Sequence, residues 1–212
     1  MSKNTEQIKF WQGEFGKEYT ERNSYSTKDW DDFYRRIWGV TRSALNEEFL
    51  AAIPRDAKIL EVGCNVGQQL RHLQLMGFKN LYGIEIQRYA VEKAKHSTEG
   101  INIIGGSAFD IPFQSEWFDV VFTSGVLIHI HPSNLNKALS EIYRCSKKFI
   151  WGFEYYAPEL TEIEYRGNKG VLWKADYALL YQKAFDDLKI VKQRNIKYVQ
   201  DANVDKMFLL EK

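Results

Sequence analysis

The hydrophobic rhythm of the chain changes once, near residue 55. Before it, apolar positions recur at helical spacing: Phe10, Trp11, Phe15 and Tyr19, then Phe33, Ile37 and Trp38, then Leu45, Phe49 and Leu50. Gly13 and Gly16 interrupt the first group and predict a broken helical segment. Pro54-Arg55-Asp56 closes this region. Beyond it, short apolar runs alternate with helical patterns. Lys58–Val62, Leu81–Glu85, Ile101–Gly105, Phe118–Thr123 and Lys148–Phe153 read as strands. Gln68–Met76, Arg88–His96 and Asn134–Cys145 read as the helices between them. Such alternation predicts right-handed βαβ units on a parallel sheet. In the tail, Ala175–Phe185 reads as a helix, and Leu188–Tyr198 with Asp205–Glu211 as a hairpin. The expected fold is α/β: a doubly wound seven-stranded sheet, mostly parallel with an antiparallel edge strand. A single domain over residues 1–212 is expected, with a helical N-terminal lid (1–55) and a core from residue 56. Ligands of such sheets bind at the carboxyl ends of the strands.

The first strand runs into Glu61 and then the turn Gly63-Cys64-Asn65-Val66-Gly67, which opens a helix. The second strand ends in Glu85, roughly 20 residues on, the separation at which a nucleotide-binding unit places its ribose-reading acid. A dinucleotide site would want a third glycine where Gln68 stands. Asn65 holds the central position and tolerates positive φ, so a tight turn survives there. The pattern favours a nucleoside ligand without a pyrophosphate.

The loop resembles the first motif of class I S-adenosylmethionine-dependent methyltransferases, (E/D)-x-G-x-G-x-G, with Glu61 as its acid and Asn65 at the middle glycine. The resemblance continues in order along the chain. Glu85, followed by Ile86, matches the acid that bonds both ribose hydroxyls. Gly106-Ser107-Ala108-Phe109-Asp110-Ile111-Pro112-Phe113 is similar to the stretch that lines the adenine, with Ser107 where an Asp is frequent. Phe118 to His129 resembles the fourth motif, whose strand ends beside the transferred methyl. The resemblance implies a Rossmann-like fold, S-adenosylmethionine as methyl donor, and a cofactor set of Glu61, Gly63, Asn65, Gly67, Glu85, Ile86, Ser107, Ala108, Phe109 and Thr123, with Tyr19 from the lid. Glu61 also suits a loop brace, Glu85 a helix N-terminal carboxylate, and Phe109 plain core. Asp119 reads as serving the fold.

The flanks carry a narrower likeness. Phe10 to Tyr19 with Arg22-Asn23, Gly125 to Ile130, Glu141 to Ser146, Glu154-Tyr155-Tyr156, Glu164-Tyr165-Arg166-Gly167 and Phe208 to Lys212 resemble the pseudaminic-acid-biosynthesis-associated methylases. This implies a sugar or nucleotide-sugar acceptor of a bacterial nonulosonic-acid or surface-glycan pathway. Residues 152–176 are dense in aromatics with interleaved charges, which suits a sugar: rings stack on C–H faces while charged groups bond hydroxyls. Tyr155, Tyr156, Tyr165, Arg166 and Trp173 are the expected acceptor contacts; an exposed loop anchored by its rings, or a dimer contact, are the rival readings. His129 and Glu154 compete as general base, with His131 behind them, and Trp11, Phe15 and Tyr19 are expected to close the lid.

Bulk properties narrow the rest. A chain of 212 residues buries a full core without staples. The net charge of +1 gives no electrostatic case for nucleic acid or an anionic membrane, which disfavours the alternative of RNA or protein methylation. A non-catalytic nucleotide-binding scaffold remains the other class of reading. Cys64 and Cys145 suggest reduced thiols and a cytoplasmic protein. The polar start predicts no signal or membrane segment, and no residue spacing suggests a metal. Monomer and homodimer both stay open.

Overall fold

The computed structural model describes residues 5–212; the first four residues of the expected helical region lie outside the described ones. The N-terminal region forms four helices, α1 Glu6–Gln12, α2 Glu14–Arg22, α3 Thr27–Trp38 and α4 Arg42–Leu50. Each start has a chemical reason. The Thr5 and Thr41 hydroxyls accept the Ile8 and Ala44 amides, and Ser26 accepts the Asp29 amide, satisfying donors a helix leaves unpaired. The break expected from Gly13 falls between α1 and α2. Gly16 is required by packing: a Cβ there would lie 1.8 Å from the Trp11 carbonyl oxygen.

The alternating region forms β1 Lys58–Val62, α5 Gln68–Leu75, β2 Asn80–Glu85, α6 Arg88–Ser97, β3 Asn102–Gly105 and β4 Phe118–Ser124. After a short 3₁₀ turn at Leu127–His129 come α7 Pro132–Cys145, β5 Ser146–Tyr155, β6 Thr161–Glu162, β7 Trp173–Lys174 and α8 Tyr177–Ala184. The strands β8 Lys189–Lys197 and β9 Val204–Glu211 form the expected hairpin. The seven-stranded sheet has the order β3-β2-β1-β4-β5-β9-β8, parallel from β3 to β5. The reversed strand is β9, which inserts between β5 and β8 and leaves β8 at the edge. Composition explains that order: β9 carries buried Met207, Phe208, Leu209 and Leu210, whereas β8 is mostly exposed and rich in Lys. The apolar strand takes the interior, and the lysines protect the edge from pairing.

Alternation along the strands divides the core between two faces. Leu60, Val62, Val121 and Phe208 pack toward α7 and α8. Ile59, Val120, Phe122, Trp151 and Met207 pack toward the face that holds α4 and α5. Asp119 accepts the Lys58 amide at 2.8 Å and ties the starts of β4 and β1. At the centre of β5, a Cβ on Gly152 would lie 2.2 Å from the Phe208 ring. Gly152→Ala is therefore expected to lower stability by about 1–3 kcal/mol through overpacking, read as a lower urea midpoint at unchanged slope.

Candidate functional site

At the carboxyl ends of β1, β2 and β4 lies a cavity of about 200 Å³. Its floor is the turn after β1. Asn65 adopts φ 46°, and the helix α5 follows directly from Gly67. Of the expected cofactor residues, Glu61, Gly63, Asn65, Glu85, Ile86, Ser107, Ala108, Phe109 and Tyr19 all line this cavity. Gly67 does not; it shapes the turn by taking φ 72° at the start of α5. Thr123 does not either. Its place is taken by Ser124, one residue on, which lines the cavity. The reason is strand parity: Ser124 faces the α4 side, and Thr123 faces the opposite side, where it bonds Glu154.

The two acids differ in circumstance. Glu85 accepts the Asn65 amide at 2.9 Å on one oxygen and the Gln87 amide at 2.8 Å on the other. Burial pushes its carboxyl pKa up, and these amides with that of Ile86 pull it back. Each oxygen keeps a lone pair for a further donor. Glu61 is 3% exposed, and its Oε2 has no hydrogen-bond partner among the described residues. Burial raises its pKa well above the carboxylate range, opposed by the positive charge of Arg42.

Arg42 escaped the sequence reading and is 0% exposed. It donates to Asn46 at 2.9 Å, Tyr34 at 2.8 Å and Ser124 at 3.2 Å, and Gln69, a cavity residue, turns its amide oxygen toward it. Three side chains lining the cavity also carry buried donors without partners, Gln68 Nε2, Trp30 Nε1 and Trp11 Nε1. Orphaned donors beside an orphaned carboxylate suit a zwitterionic amino-acid group, because a buried polar atom left unpaired is costly.

The lid closes the other side. Ile8, Trp11, Tyr19 and Thr20 from α1 and α2 line the cavity. The Trp11 ring lies 4.4 Å from that of His129, and Phe15 contacts Tyr165 at 6.1 Å. His129 lines the cavity, and its Nδ1 lies 2.9 Å from the Val171 carbonyl, to which it donates as a neutral ring, leaving Nε2 as an acceptor. Burial lowers its pKa to about 4. Burial also raises the Tyr19 pKa above its ordinary range, helped by the nearby Tyr165 and Tyr155.

Glu154 does not reach the cavity. It is 1% exposed and accepts the Val126 amide at 3.0 Å and the Ile128 amide at 3.5 Å, holding the turn that presents His129. Burial raises its pKa to about 7. The expected rival base is therefore a brace for the loop carrying the other candidate. His131 also faces elsewhere: its ring packs against Trp173 at 5.2 Å, and its Nδ1 accepts the Ser133 amide. Among the expected acceptor contacts, Tyr165 comes nearest the cavity, 5.8 Å from the His129 ring. Tyr155 does not line the cavity; its ring meets that of Tyr198 edge-on at 6.5 Å. Tyr156 packs under Lys206, Arg166 is exposed, and Trp173 is buried, so these three stand apart from the cavity. Sequence reading missed Thr20, Gln69 and Gln87, which carry no motif signal, and Ser124, which lies within the fourth-motif stretch beside the residue chosen from it. Among the described residues, no group of three or more His, Cys, Asp or Glu is placed to hold a metal ion, and no helix is long and apolar enough to cross a membrane.

Comparison with known proteins agrees with this geometry. Residues 60–149 match the methyltransferase domain family. A sterol 24-C-methyltransferase of Pneumocystis carinii is 27% identical over 139 residues, covering 55% of this chain and 36% of that protein. Thus the chain spans only about a third of the length of that relative. Among solved structures, the 1,6-didemethyltoxoflavin-N1-methyltransferase of Burkholderia thailandensis, with bound substrate and S-adenosylhomocysteine, superposes with TM-score 0.65 at 14% identity, covering 80% of this chain and 76% of that one. The cyclase SpnF superposes equally well, TM-score 0.65 at 14% identity, covering 80% of this chain and 79% of that one. At such identities the likeness is one of fold, and the chemistry rests on the site.

His129 is held neutral, so its folded pKa lies below the unfolded value of about 6.5. Its contribution to stability is complete above that unfolded value and is lost as pH falls through about 4. In an NMR titration its ring resonances are expected to stay at neutral values until about pH 4; a midpoint near 6.5 would mean a solvated ring.

Proposed function

We propose that the protein is an S-adenosylmethionine-dependent methyltransferase acting on a hydroxyl or amine of a small polar molecule, a sugar or nucleotide-sugar. The observation that carries the reading is one cavity lined by Glu61, Asn65, Glu85 and Phe109 and roofed by an aromatic lid next to a neutral histidine. The residues present fit the cofactor. Glu61, unpaired and backed by Arg42, answers an ammonium, while Gln68 and Trp30 offer donors to a carboxylate. Glu85 has acceptor capacity left for two ribose hydroxyls. Ala108 and Phe109 supply an apolar wall for a base.

When bound, the cofactor supplies an electrophilic methyl on a sulfonium. The chain's own contribution is placement: transfer is an in-line displacement, accelerated chiefly by holding the reacting groups in contact. His129 Nε2 is free to accept a hydrogen bond, and the Trp11 indole N–H beside it has no partner. An acceptor next to a donor is the complement of a hydroxyl, which needs both. With a pKa of about 4, His129 orients the hydroxyl and receives its proton only as the oxygen loses electron density. The lid excludes water from the transfer.

The flanking resemblance to pseudaminic-acid-associated methylases and the nearness of the Tyr165 ring to His129 support a sugar acceptor. A second reading, a lipid acceptor, is favoured by the sterol methyltransferase relatives. The polar back wall of Glu61, Gln68, Gln69 and Ser124 tells against it. The free, buried Cys64 and Cys145 fit a cytoplasmic setting.

Calorimetry is expected to show S-adenosylhomocysteine binding that Glu85→Ala weakens at least about tenfold, the effect of losing a charged hydrogen-bond acceptor. Absence of binding by the unaltered protein would sink the reading. Product formation with nucleotide sugars but not with sterols would decide the acceptor, and the reverse would favour the lipid.

A further inference from the structure

Two polar residues of the site spend their side chains on the lid. Asn65 stands in a left-handed conformation that glycine adopts without strain, so its side chain needs a reason. Its Oδ1 lies 3.0 Å from the Thr20 hydroxyl of α2, and Thr20 is almost fully buried there. That hydroxyl also lies 3.0 Å from the Gly16 carbonyl and, having one proton, donates to one of the two at a time. Gln87, at the start of α6, makes the second tie. Its Nε2 faces the carbonyls of Trp11 at 3.2 Å, Gln12 at 3.0 Å and Gly13 at 3.0 Å, the end of α1. The Trp11 and Gln12 carbonyls lie in the last turn of α1, where no later amide of that helix reaches them, while that of Gly13 also accepts the Lys17 amide at 3.3 Å. Its Oε1 accepts the Tyr89 amide at 3.1 Å, so the side chain is fixed at both ends.

The backbone amides of these two residues are the ones Glu85 accepts, one on each carboxylate oxygen. We propose that Asn65 and Gln87 are positioning residues that latch the α1–α2 lid to the Glu85 carboxylate, so that a nucleoside held at Glu85 and a closed lid stabilise one another. Neither side chain acts on the ligand directly. Coupling of this kind is reciprocal: whatever orders Glu85 orders both latches, and an open lid weakens nucleoside retention by the same factor. The proposal rests on the reading of the cavity as a nucleoside site, but the latch itself is a property of the ligand-free protein.

Three variants separate the latch from its alternatives. Asn65→Gly keeps the turn, Thr20→Val keeps the volume, and Gln87→Ser keeps a helix cap while falling short of α1. In the ligand-free protein, amide hydrogen exchange over residues 6–22 is expected to quicken about 3- to 10-fold in each variant, the scale of one lost hydrogen bond, with β1 and β4 unchanged. Release of S-adenosylhomocysteine in stopped flow is expected to quicken by a similar factor at unchanged on-rate. Asn65→Gly combined with Thr20→Val should do no more than either alone, since both cut one contact. Unchanged exchange over residues 6–22 would overturn the latch. So would faster release in Asn65→Gly with none in Thr20→Val, which would make Asn65 a direct ligand contact. Failure of the unaltered protein to bind S-adenosylhomocysteine would refute the nucleoside reading, and exchange in the ligand-free variants would still decide the latch.

Discussion

The carboxylate of Glu85 organises the site. It sits at the end of β2 and accepts one amide from the turn after β1 and one from the start of α6. Each of those segments carries a side chain that reaches α1 or α2. A carboxylate suits the position because it only accepts, and because two amides leave it lone pairs for hydroxyl donors. Burial works against its charge, and the amide bonds offset part of that. Remove this acid and the turn, the helix start and the lid lose their common reference.

A second constraint lies behind the cavity. Arg42 is an entirely buried cation, stacked near the rings of Tyr34, Trp151 and Phe153. A buried charge is tolerated when hydrogen bonds and an opposite charge meet it. Here Asn46, Tyr34 and Ser124 supply the bonds, and the charge of Arg42 draws the Glu61 pKa down against the larger effect of burial. The arrangement leaves Glu61 with one oxygen unpaired at the cavity wall. Stability and binding thus draw on the same pair: the helix α4 is anchored to the sheet by the group that favours an ionised acid in the site.

Strand parity separates residues that sequence places side by side. Thr123 and Ser124 are neighbours, yet one meets Glu154 on the α7 side and the other meets Arg42 on the α4 side. Glu154 looked like a base because it ends a strand near the fourth motif. Its carboxylate instead holds the amides of Val126 and Ile128, and so fixes the turn on which His129 sits. His129 reached the cavity, and its neutrality follows from burial and from the Val171 carbonyl, which lies 42 residues away in sequence. The Tyr165 ring lies beside those of His129 and Phe15, whereas Tyr155 meets Tyr198 and Trp173 is buried beside His131.

By itself the sequence determined the main elements, though not the short β6 and β7, and the identity of the glycine turn, because periodicity, caps and turn residues act over a few positions. The five parallel strands, the hairpin and the broken N-terminal helix were legible from apolar spacing and from Gly13. Glu61, Asn65 and Glu85 were legible from their place at strand ends. What only the tertiary structure decided was everything set by long-range pairing. The insertion of β9 between β5 and β8 depends on which of two strands buries more apolar surface against β5. The roles of Arg42, Gln87, Thr20 and Ser124 depend on which side chains meet across the sheet, and no local pattern encodes a contact between residues so far apart in the chain.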